Sequence, residues 1–335
     1  RREIDGHAET PTEAVIMETA KAKELVIKAG RELAREGLIA RTWGNVSCRT
    51  DEEHFVISAS GKAYETLTEE EIIEMDMDRN YEGEIKPSAE KRIHRDIYEL
   101  KEDAGFIIHT HQHNASAVSA MGLNLIKLDR HYKGIGSFVL CAGYGLPGTS
   151  RVADKVAEAV NDSVGNAVIM SNHGAVCYGK TYEEALETAN NLEEACGNYL
   201  EFIGVDPWDG EEEHFEMKWN NSPVIMKYLE HRDELNAYLD DFAQMIGSSL
   251  EVVEYDEEMC VKAEAKGQPL LVKGRGAMCN AASEEDRKAI SMLIEKNCRA
   301  ALAGIGCKPI GRYESMFMRQ FYLQKYSKLK YTDEK

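Results

Sequence analysis

The stretch that decides the fold runs from residue 105 to residue 122 and reads GFIIHTHQHNASAVSAMG. Residues 106–108 are apolar, which predicts a buried strand, and three of the ten histidines follow within five residues. In a strand, residues i and i+2 point to the same side, so His109 and His111 are expected to aim at one point. Imidazole pairs are common zinc ligands, although solvent-facing residues would give the same pattern. The following NAS indicates a turn, so His113 is expected to play a supporting or structural role.

Helices and strands alternate on both sides of this stretch up to about residue 205. An amphipathic helix is predicted over 17–36, followed by a hairpin of strands 44–50 and 54–60. The remaining predicted elements are a helix at 88–103, a strand at 104–114, a short helix to 120, a strand at 136–145, a helix at 149–162, a strand-turn-strand at 166–179 and a long helix at 181–204. This order predicts a mixed α/β domain over 1–205.

The region after residue 205 differs in character. Residues 206–249 begin with an acidic, turn-rich stretch and are predicted to form a linker and a helix, and residues 250–335 to form a C-terminal α+β segment. Residues 173–200 align with residues 275–302 at a constant offset of 102 without a gap. The identical pairs are Gly174/Gly276, Ala175/Ala277, Cys177/Cys279, Glu183/Glu285, Glu193/Glu295, Cys196/Cys298 and Leu200/Leu302.

This internal similarity has two interpretations. A partial, degenerate duplication explains the paired Gly-Ala-x-Cys and Glu-x-x-Cys, whereas any strand-turn-helix shares some of the pattern by chance. Arg275 stands where the first copy has His173, so the second copy is not expected to do what His173 does.

Composition limits the classes of function. The chain has 335 residues, 43% hydrophobic and 30% charged residues, and no apolar window long enough for a membrane span. A net charge of −19 argues against nucleic acid or an anionic membrane as a partner, but not against a small anionic substrate. The N-terminal stretch lacks an apolar signal core, and the eight cysteines form no CxxC pair, so a cytoplasmic protein with reduced thiols is expected.

Four further motifs accompany the HTH at 109–111: GNVS at 44–47, SASGKAYETL at 58–67, PSAE at 87–90 and SNHG at 171–174. In order and spacing, the five motifs resemble the class II aldolase/adducin family, which includes fuculose-1-phosphate aldolase, rhamnulose-1-phosphate aldolase and ribulose-5-phosphate 4-epimerase. The resemblance covers roughly residues 15–205. It implies a three-layer α/β/α domain with a central, mostly antiparallel sheet, followed here by the C-terminal α+β segment.

The resemblance also implies a metal centre and a phosphate site. His109, His111 and His173 correspond to the family's three zinc ligands, with Mn²⁺ or Co²⁺ as alternative metals. Glu90 corresponds to the acidic residue that ligates the resting metal and acts as acid and base once substrate displaces it. The residues that correspond to the phosphate cradle are Gly44, Asn45, Ser60, Gly61 and Ser88. Residues 44–45 could instead be an ordinary turn, and Ser88 a helix N-cap or both at once.

Two positions depart from the family's pattern. Ala89 stands where the family often has a second serine or threonine, so the substrate could depend less on phosphate. The tyrosine that the aldolases receive from a neighbouring subunit corresponds approximately to Tyr132, with His131 and Tyr144 as alternatives. Its local spacing is shorter than in fuculose-1-phosphate aldolase.

The reaction that the resemblance implies is reversible cleavage of a ketose, or ketose phosphate, between C3 and C4. In it zinc polarises the carbonyl and stabilises an enediolate, and Glu90 returns a proton to carbon. Glutamate at 90 resembles the aldolases more than the 4-epimerase, whose pattern has aspartate. The alternatives are C4 epimerisation or decarboxylation of a sugar or sugar acid phosphate at the same metal, and a non-catalytic adducin-like scaffold, which would not need the full ligand set.

The resemblance also bears on the oligomeric state, whereas the packing of the C-terminal segment is inferred from its composition. Family members are usually homotetramers with sites at subunit interfaces, so a homo-oligomer, most simply a tetramer, is expected. The C-terminal segment is expected to pack on the catalytic domain or on a neighbour. Its Arg275, Arg312 or Arg319 could reach an anionic substrate, or could be ordinary surface residues.

Overall fold

The computed structural model describes residues 17–39, 41–210, 215–304 and 306–325. Its α-helices are α1 (Thr19–Arg35), α2 (Lys91–Leu100), α3 (His113–Ser119), α4 (Ser150–Asp162), α5 (Tyr182–Phe202), α6 (Pro223–Leu229), α7 (Asp240–Met245), α8 (Glu257–Ala265), α9 (Glu284–Leu302) and α10 (Arg312–Lys325). Its strands are β1 (Asn45–Arg49), β2 (His54–Ser58), β3 (Ile72–Asp76), β4 (Phe106–Thr110), β5 (Leu125–Tyr132), β6 (Gly136–Ala142), β7 (Ala167–Met170), β8 (Gly174–Gly179), β9 (Trp219–Asn220), β10 (Glu234–Asn236), β11 (Ser249–Val253), β12 (Leu270–Val272) and β13 (Gly276–Met278). Within these ranges, no helix is both long enough and apolar enough to span a bilayer.

The first sheet has eight strands in the order β3-β2-β1-β4-β8-β7-β6-β5. All neighbours are antiparallel except β6 and β7, which are parallel. Alternation along β4 sends Phe106 and Ile108 into the apolar cluster that contains α1, α3 and α5, and Ile107 into the cluster that contains α2 and α4. Helices therefore cover both faces, which confirms the predicted three-layer α/β/α architecture.

A second sheet of five strands follows in the order β10-β11-β12-β13-β9. Residues 206–249, predicted as an acidic linker and a helix, are richer in structure than that, since β9, α6, β10 and α7 lie within them. Strand β10 pairs with β11, so the predicted division at residue 250 cuts through one sheet. The sequence hides these strands because β9 has two residues and β10 three, too few to show a period-2 alternation.

The core continues from the first sheet into the second. One apolar cluster includes Ala115 of α3 and Leu192 of α5 together with Phe242 of α7 and Leu293 of α9. From here on, the C-terminal segment means all described residues after 205, which include α7 and α9. This segment packs on the face of the first sheet that carries α3 and α5. This contact brings α7 and α9 to the end of β4, where His109 and His111 lie.

Tight backbone approaches fix the strand ends at this place. Gly44 precedes β1 with φ of +91°, and a Cβ there would lie 2.5 Å from the carbonyl oxygen of His109. The turn between β7 and β8 holds Asn172 at φ of 58°, and a Cβ on Gly174 would lie 2.1 Å from the carbonyl oxygen of Thr110. Glycine at 44 and 174 thus allows three chain segments to meet beside the histidines.

Candidate metal centre and substrate cavity

Three buried histidines converge as the sequence predicts. His109 at the end of β4, His111 just after it and His173 in the β7–β8 turn each offer a ring nitrogen, and these nitrogens lie within 4.8 Å of one another. Nε2 of His109 is 3.1 Å from Nε2 of His173. Nδ1 of His109 lies 2.8 Å from the carbonyl oxygen of Ala175, an acceptor only, so Nδ1 carries a proton and Nε2 is the nitrogen that faces the other histidines.

Glu90, the N-cap residue of α2, faces the same point. Its Oε2 lies 3.2 Å from Nε2 of His109, and its Oε1 lies 3.4 Å from Nε2 of His173. The side-chain amide of Asn45 donates to Oε2 at 2.9 Å and fixes the carboxylate. Ser88, considered above as the N-cap, is not at that position; its hydroxyl accepts the backbone N–H of Glu90 at 3.2 Å.

A buried chain of hydrogen bonds that the sequence did not reveal holds Asn45. His94 bonds Oδ1 of Asn45 through Nε2, and its Nδ1 lies 2.6 Å from the hydroxyl of Ser47. Burial lowers the pKa of His94 to about 3, so the ring is neutral. Since Oδ1 of Asn45 only accepts, Nε2 of His94 donates and Nδ1 accepts from Ser47. His94 belongs to none of the quoted motifs, and the sequence gives no signal for its role, because a lone histidine on a helix face is usually a core residue.

The C-terminal segment adds two carboxylates, which sequence analysis also missed. Oδ2 of Asp241 and Oδ1 of Asp240 lie 3.4 Å and 3.6 Å from Nδ1 of His111. Oδ2 of Asp240 lies 3.8 Å from Nδ1 of His173. The buried ammonium of Lys296 pairs with Asp241 and donates to the carbonyl oxygen of His111 at 3.0 Å. Asp240, Asp241 and Lys296 are all at most 1% exposed.

The unsatisfied polar atoms of this cluster fit a bound cation. Oε1 of Glu90, which faces the Nε2 side of the histidines, has no hydrogen-bond partner. On the opposite side of the rings, Nδ1 of His111, Nδ1 of His173 and Oδ1 of Asp240 also have none. Three carboxylates face one ammonium, so a divalent cation would balance them if all three were ionised. Burial lowers the pKa of His111 and of His173, which gives the neutral imidazoles that a metal requires. Imidazole nitrogens with a carboxylate suit Zn²⁺, and also Mn²⁺ or Co²⁺.

The pKa values of the two aspartates are shifted in opposite directions. Burial, together with Asp241 and Glu90, raises the pKa of Asp240 well above its ordinary value. Burial also raises that of Asp241, but the adjacent Lys296 and His111 outweigh burial and lower its pKa. Asp241 is therefore the charged partner of Lys296, and Asp240 is the carboxyl group that its surroundings favour in the protonated form.

A cavity of about 310 Å³ opens beside the cluster. All five predicted cradle residues line it, together with Glu90, His111 and His173. The opposite wall comes from the C-terminal segment: Asp240, Gln244, Phe317, Met318, Phe321 and Tyr322. Among the described residues that line the cavity there is no lysine or arginine, so an anion there would depend on backbone N–H groups, small polar side chains and a metal.

Other predicted residues lie away from this cavity. The hydroxyl of Tyr132 donates to Asp129 at 2.9 Å and accepts from Asn198 at 2.8 Å, and Tyr132 does not line the cavity of its own chain. A role for it would require a second subunit and stays a prediction. Of its alternatives, His131 is exposed and the Tyr144 hydroxyl is buried without a hydrogen-bond partner.

The remaining candidates have structural contacts. The ring of His113 stacks on Trp208 with centroids 3.9 Å apart, which agrees with a structural role. Arg275 stacks on Tyr255, and Arg319 donates to the carbonyl oxygen of Gln244. Neither of these arginines lines the cavity, and neither does Arg312.

Fold and site together define an α/β protein in which three histidines converge beside a cradle of small residues. The family model described as "Class II Aldolase and Adducin N-terminal domain" matches residues 24–200, and the chain belongs to that family. The matched range leaves out the C-terminal segment, and therefore also Asp240, Asp241 and Lys296.

Named relatives and a solved structure agree with this membership. The chain is 31% identical to the 5-deoxy-D-ribulose 1-phosphate aldolase of Bacillus thuringiensis serovar kurstaki, over 52% of this chain and 81% of that protein. It is 31% identical to the L-fuculose phosphate aldolase of Escherichia coli strain K12, over 57% of this chain and 88% of that protein. A solved structure of L-fuculose 1-phosphate aldolase superposes with a TM-score of 0.52 at 27% identity, covering 58% of this chain and 93% of that one.

Proposed function

We propose that this protein is a metal-dependent aldolase that reversibly cleaves a ketose phosphate between C3 and C4. The observation that carries the proposal is the convergence of His109, His111 and His173 with Glu90 beside a cavity that the five cradle residues line. The names of the relatives support the same reaction class. Zinc is the metal we propose, bound by His109, His111 and His173 with Glu90; when bound, it polarises the substrate carbonyl and stabilises negative charge that develops next to it.

The side chains divide the remaining work between binding and proton transfer. Residues 44–45, 60–61 and 88 present small side chains and backbone N–H groups, where the phosphate would bind. Glu90 accepts the proton that leaves the C4 hydroxyl group as the C3–C4 bond breaks and returns it to carbon; its Oε1 has no hydrogen-bond partner and its Oε2 is fixed by Asn45. The hydrogen bonds from Ser47 through His94 to Asn45 keep that carboxylate in place.

The nature of the substrate follows from the cavity walls. The cradle offers no lysine or arginine, and Ala89 has no hydroxyl, so phosphate contributes less binding energy than a cationic site would give. The aromatic and apolar residues of α10 face the cradle and suit the carbon end of the sugar. On the family resemblance alone, we propose a cytoplasmic homotetramer.

The test is release of dihydroxyacetone phosphate from L-fuculose 1-phosphate and from 5-deoxy-D-ribulose 1-phosphate by the zinc-loaded protein. We expect turnover of at least one of these ketose 1-phosphates. We expect Glu90→Gln to lower kcat by roughly 10²–10⁴-fold, the usual contribution of a positioned acid-base group. The matched control is Glu65→Gln, which removes an exposed carboxylate and should leave kcat unchanged.

Each alternative gives a different result. Inversion at C4 without cleavage would identify an epimerase, and release of CO₂ from a sugar acid phosphate would identify a decarboxylase. A zinc-loaded protein that acts on none of these compounds, and whose Glu90→Gln variant behaves like the wild type, would contradict the proposal.

A further inference from the structure

The C-terminal segment contacts the outer side of the metal centre. The ring nitrogens of His109 and His173 that approach each other and Glu90 are both Nε2. Nδ1 of His109 faces the carbonyl oxygen of Ala175, whereas Nδ1 of His111 and Nδ1 of His173 face carboxylates of α7. An oxygen atom lies 2.8 Å from the outward nitrogen of His109, where it accepts a hydrogen bond, and carboxylate oxygens lie 3.4 Å and 3.8 Å from those of His111 and His173. For two of the three histidines, that oxygen atom comes from outside the family domain.

We propose that Asp240 and Asp241 are positioning residues that accept the Nδ1–H of His173 and His111 and thereby set the metal affinity of the site. This inference rests on the proposed function, since it needs the histidines to bind a metal. A metal-binding histidine usually donates its second N–H to a carboxylate or carbonyl group, which fixes the tautomer and makes the ligand nitrogen more basic. The family domain supplies this acceptor only to His109, and the C-terminal segment supplies the other two.

Further hydrogen bonds attach the segment to the turns that carry the ligands. The backbone N–H of Asp240 donates to the carbonyl oxygen of Asn172 at 3.0 Å. The side-chain amide of Asn172 donates to the carbonyl oxygens of Tyr238 at 2.8 Å and Lys308 at 3.2 Å. On the other side, Lys296 donates to the carbonyl oxygen of His111. Both ligand-bearing turns are therefore held in place by the C-terminal segment.

The same contacts argue against a second metal ion between His111, Asp240 and Asp241. These three residues could in principle hold a cation. That position already has one, because the ammonium of Lys296 pairs with Oδ2 of Asp241. Asp240 is held differently: the side-chain amide of Gln244 donates to its Oδ2 at 2.9 Å, and its Oδ1 has no partner. Asp240 is therefore the aspartate to change first, since its removal leaves the Asp241–Lys296 pair intact.

The experiment compares wild type, Asp240→Asn and Asp240→Ala in the full chain. Zn²⁺ affinity is measured by competition with a chromophoric chelator, and the ligand field by the visible absorption of the Co²⁺ form. The melting temperature is measured without metal. We expect zinc affinity to fall by roughly 10–100-fold in Asp240→Ala and by less in Asp240→Asn, which keeps an oxygen acceptor. The control is Asp233→Asn, an exposed position of the same segment, with wild-type affinity expected.

The metal-free melting temperature separates positioning from a merely structural role. Asp240 is buried next to Asp241 and lies 3.6 Å from His111, so its replacement should leave the metal-free protein as stable as the wild type or more so. Unchanged zinc affinity in both Asp240 variants would overturn the inference, as would a loss of affinity fully matched by a loss of metal-free stability. If the wild type itself bound no metal, the proposed function would fail first, and this inference with it.

Discussion

Five strands of the first sheet have the same order as the five strands of the second sheet, but the three histidines occur only in the first. Strands β4-β8-β7-β6-β5 of the first sheet and β9-β13-β12-β11-β10 of the second lie in the same order. In each, the third and fourth strands of this order are parallel and the other neighbours antiparallel. The segments β7–β8–α5 and β12–β13–α9 also correspond at the offset of 102. This match supports a duplication that covers five strands, more than the strand-turn-helix predicted from sequence.

The residues that differ include the three proposed metal ligands. In the first sheet His109 pairs with Val176. Met278 corresponds to Val176 at the offset of 102, and in the second sheet Met278 pairs with Trp219, which therefore stands where His109 does. By the same register, Asn221 replaces His111, and Arg275 replaces His173. Two of the shared residues shape the backbone: Gly174 and Gly276 are buried, and both abut a carbonyl oxygen of the neighbouring strand. Small and apolar residues thus recur in both sheets, whereas the three histidines occur only in the first.

A connection of the second sheet contributes residues next to the histidines of the first sheet. Helix α7 connects β10 to β11, where the first sheet has only the short β5–β6 turn. This added helix carries Asp240 and Asp241 to the histidines of the first sheet. A copy without ligands has in this way become part of the surroundings of the original site.

The largest expected effect comes from making the first sheet resemble the second. His173→Arg would place a cation where the metal binds, and loss of the metal should lower kcat/KM on the order of a thousandfold or more. The reciprocal change, Arg275→His, alters an exposed side chain and should change kcat/KM less than about twofold. Steady-state kinetics after zinc loading check both. Retention of bound metal by His173→Arg would contradict the assigned ligand.

A smaller effect is expected at the paired glutamates, measured as free energy of unfolding in urea. Glu295 accepts a hydrogen bond from Arg299 at 2.9 Å, so Glu295→Gln removes the carboxylate charge that balances a buried guanidinium and should cost about 3–5 kcal/mol. Glu193 accepts the backbone N–H groups of Asn114 and Ala115 at the start of α3, and Glu193→Gln should cost about 1–3 kcal/mol. A larger loss of unfolding free energy in Glu193→Gln than in Glu295→Gln would contradict the roles that these contacts indicate.

The smallest effects are expected at the two walls of the cavity, one formed by the cradle residues and the other by α10. Ser88→Ala removes a hydroxyl from the cradle and should lower kcat/KM for phosphorylated substrates about tenfold, with little change for unphosphorylated sugars. Phe317→Ala trims the wall that α10 provides and should lower kcat/KM a few-fold for both classes of substrate. Equal losses on phosphorylated and unphosphorylated sugars in Ser88→Ala would argue against a phosphate site at the cradle.

Much of the first sheet could be predicted because its strands and helices carry clear periods. The helix predicted over 17–36 is α1, and the predicted hairpin is β1 and β2. The second sheet could not be predicted in full, since its strands have only two to five residues. The acidic composition of the stretch before β9 concealed that the chain re-enters a sheet.

The candidate site was predictable where its residues lie in short motifs. HTH, SNHG and PSAE place the histidines and Glu90 at strand or helix ends, which the fold brings together. Asp240, Asp241 and Lys296 lie in no such motif, and Lys296 meets Asp241 across 55 positions of sequence. Only the packing of α9 against α3 and α7 shows that these residues face the site.

The most direct test of the account is the metal content of the purified protein after zinc reconstitution, beside a His111→Ala variant. The account predicts about one zinc ion per chain in the wild type, since the second sheet lacks ligands and Lys296 occupies the other acidic cluster. It predicts loss of that ion in the variant. No zinc in the wild type, two ions per chain, or full retention in His111→Ala would contradict it.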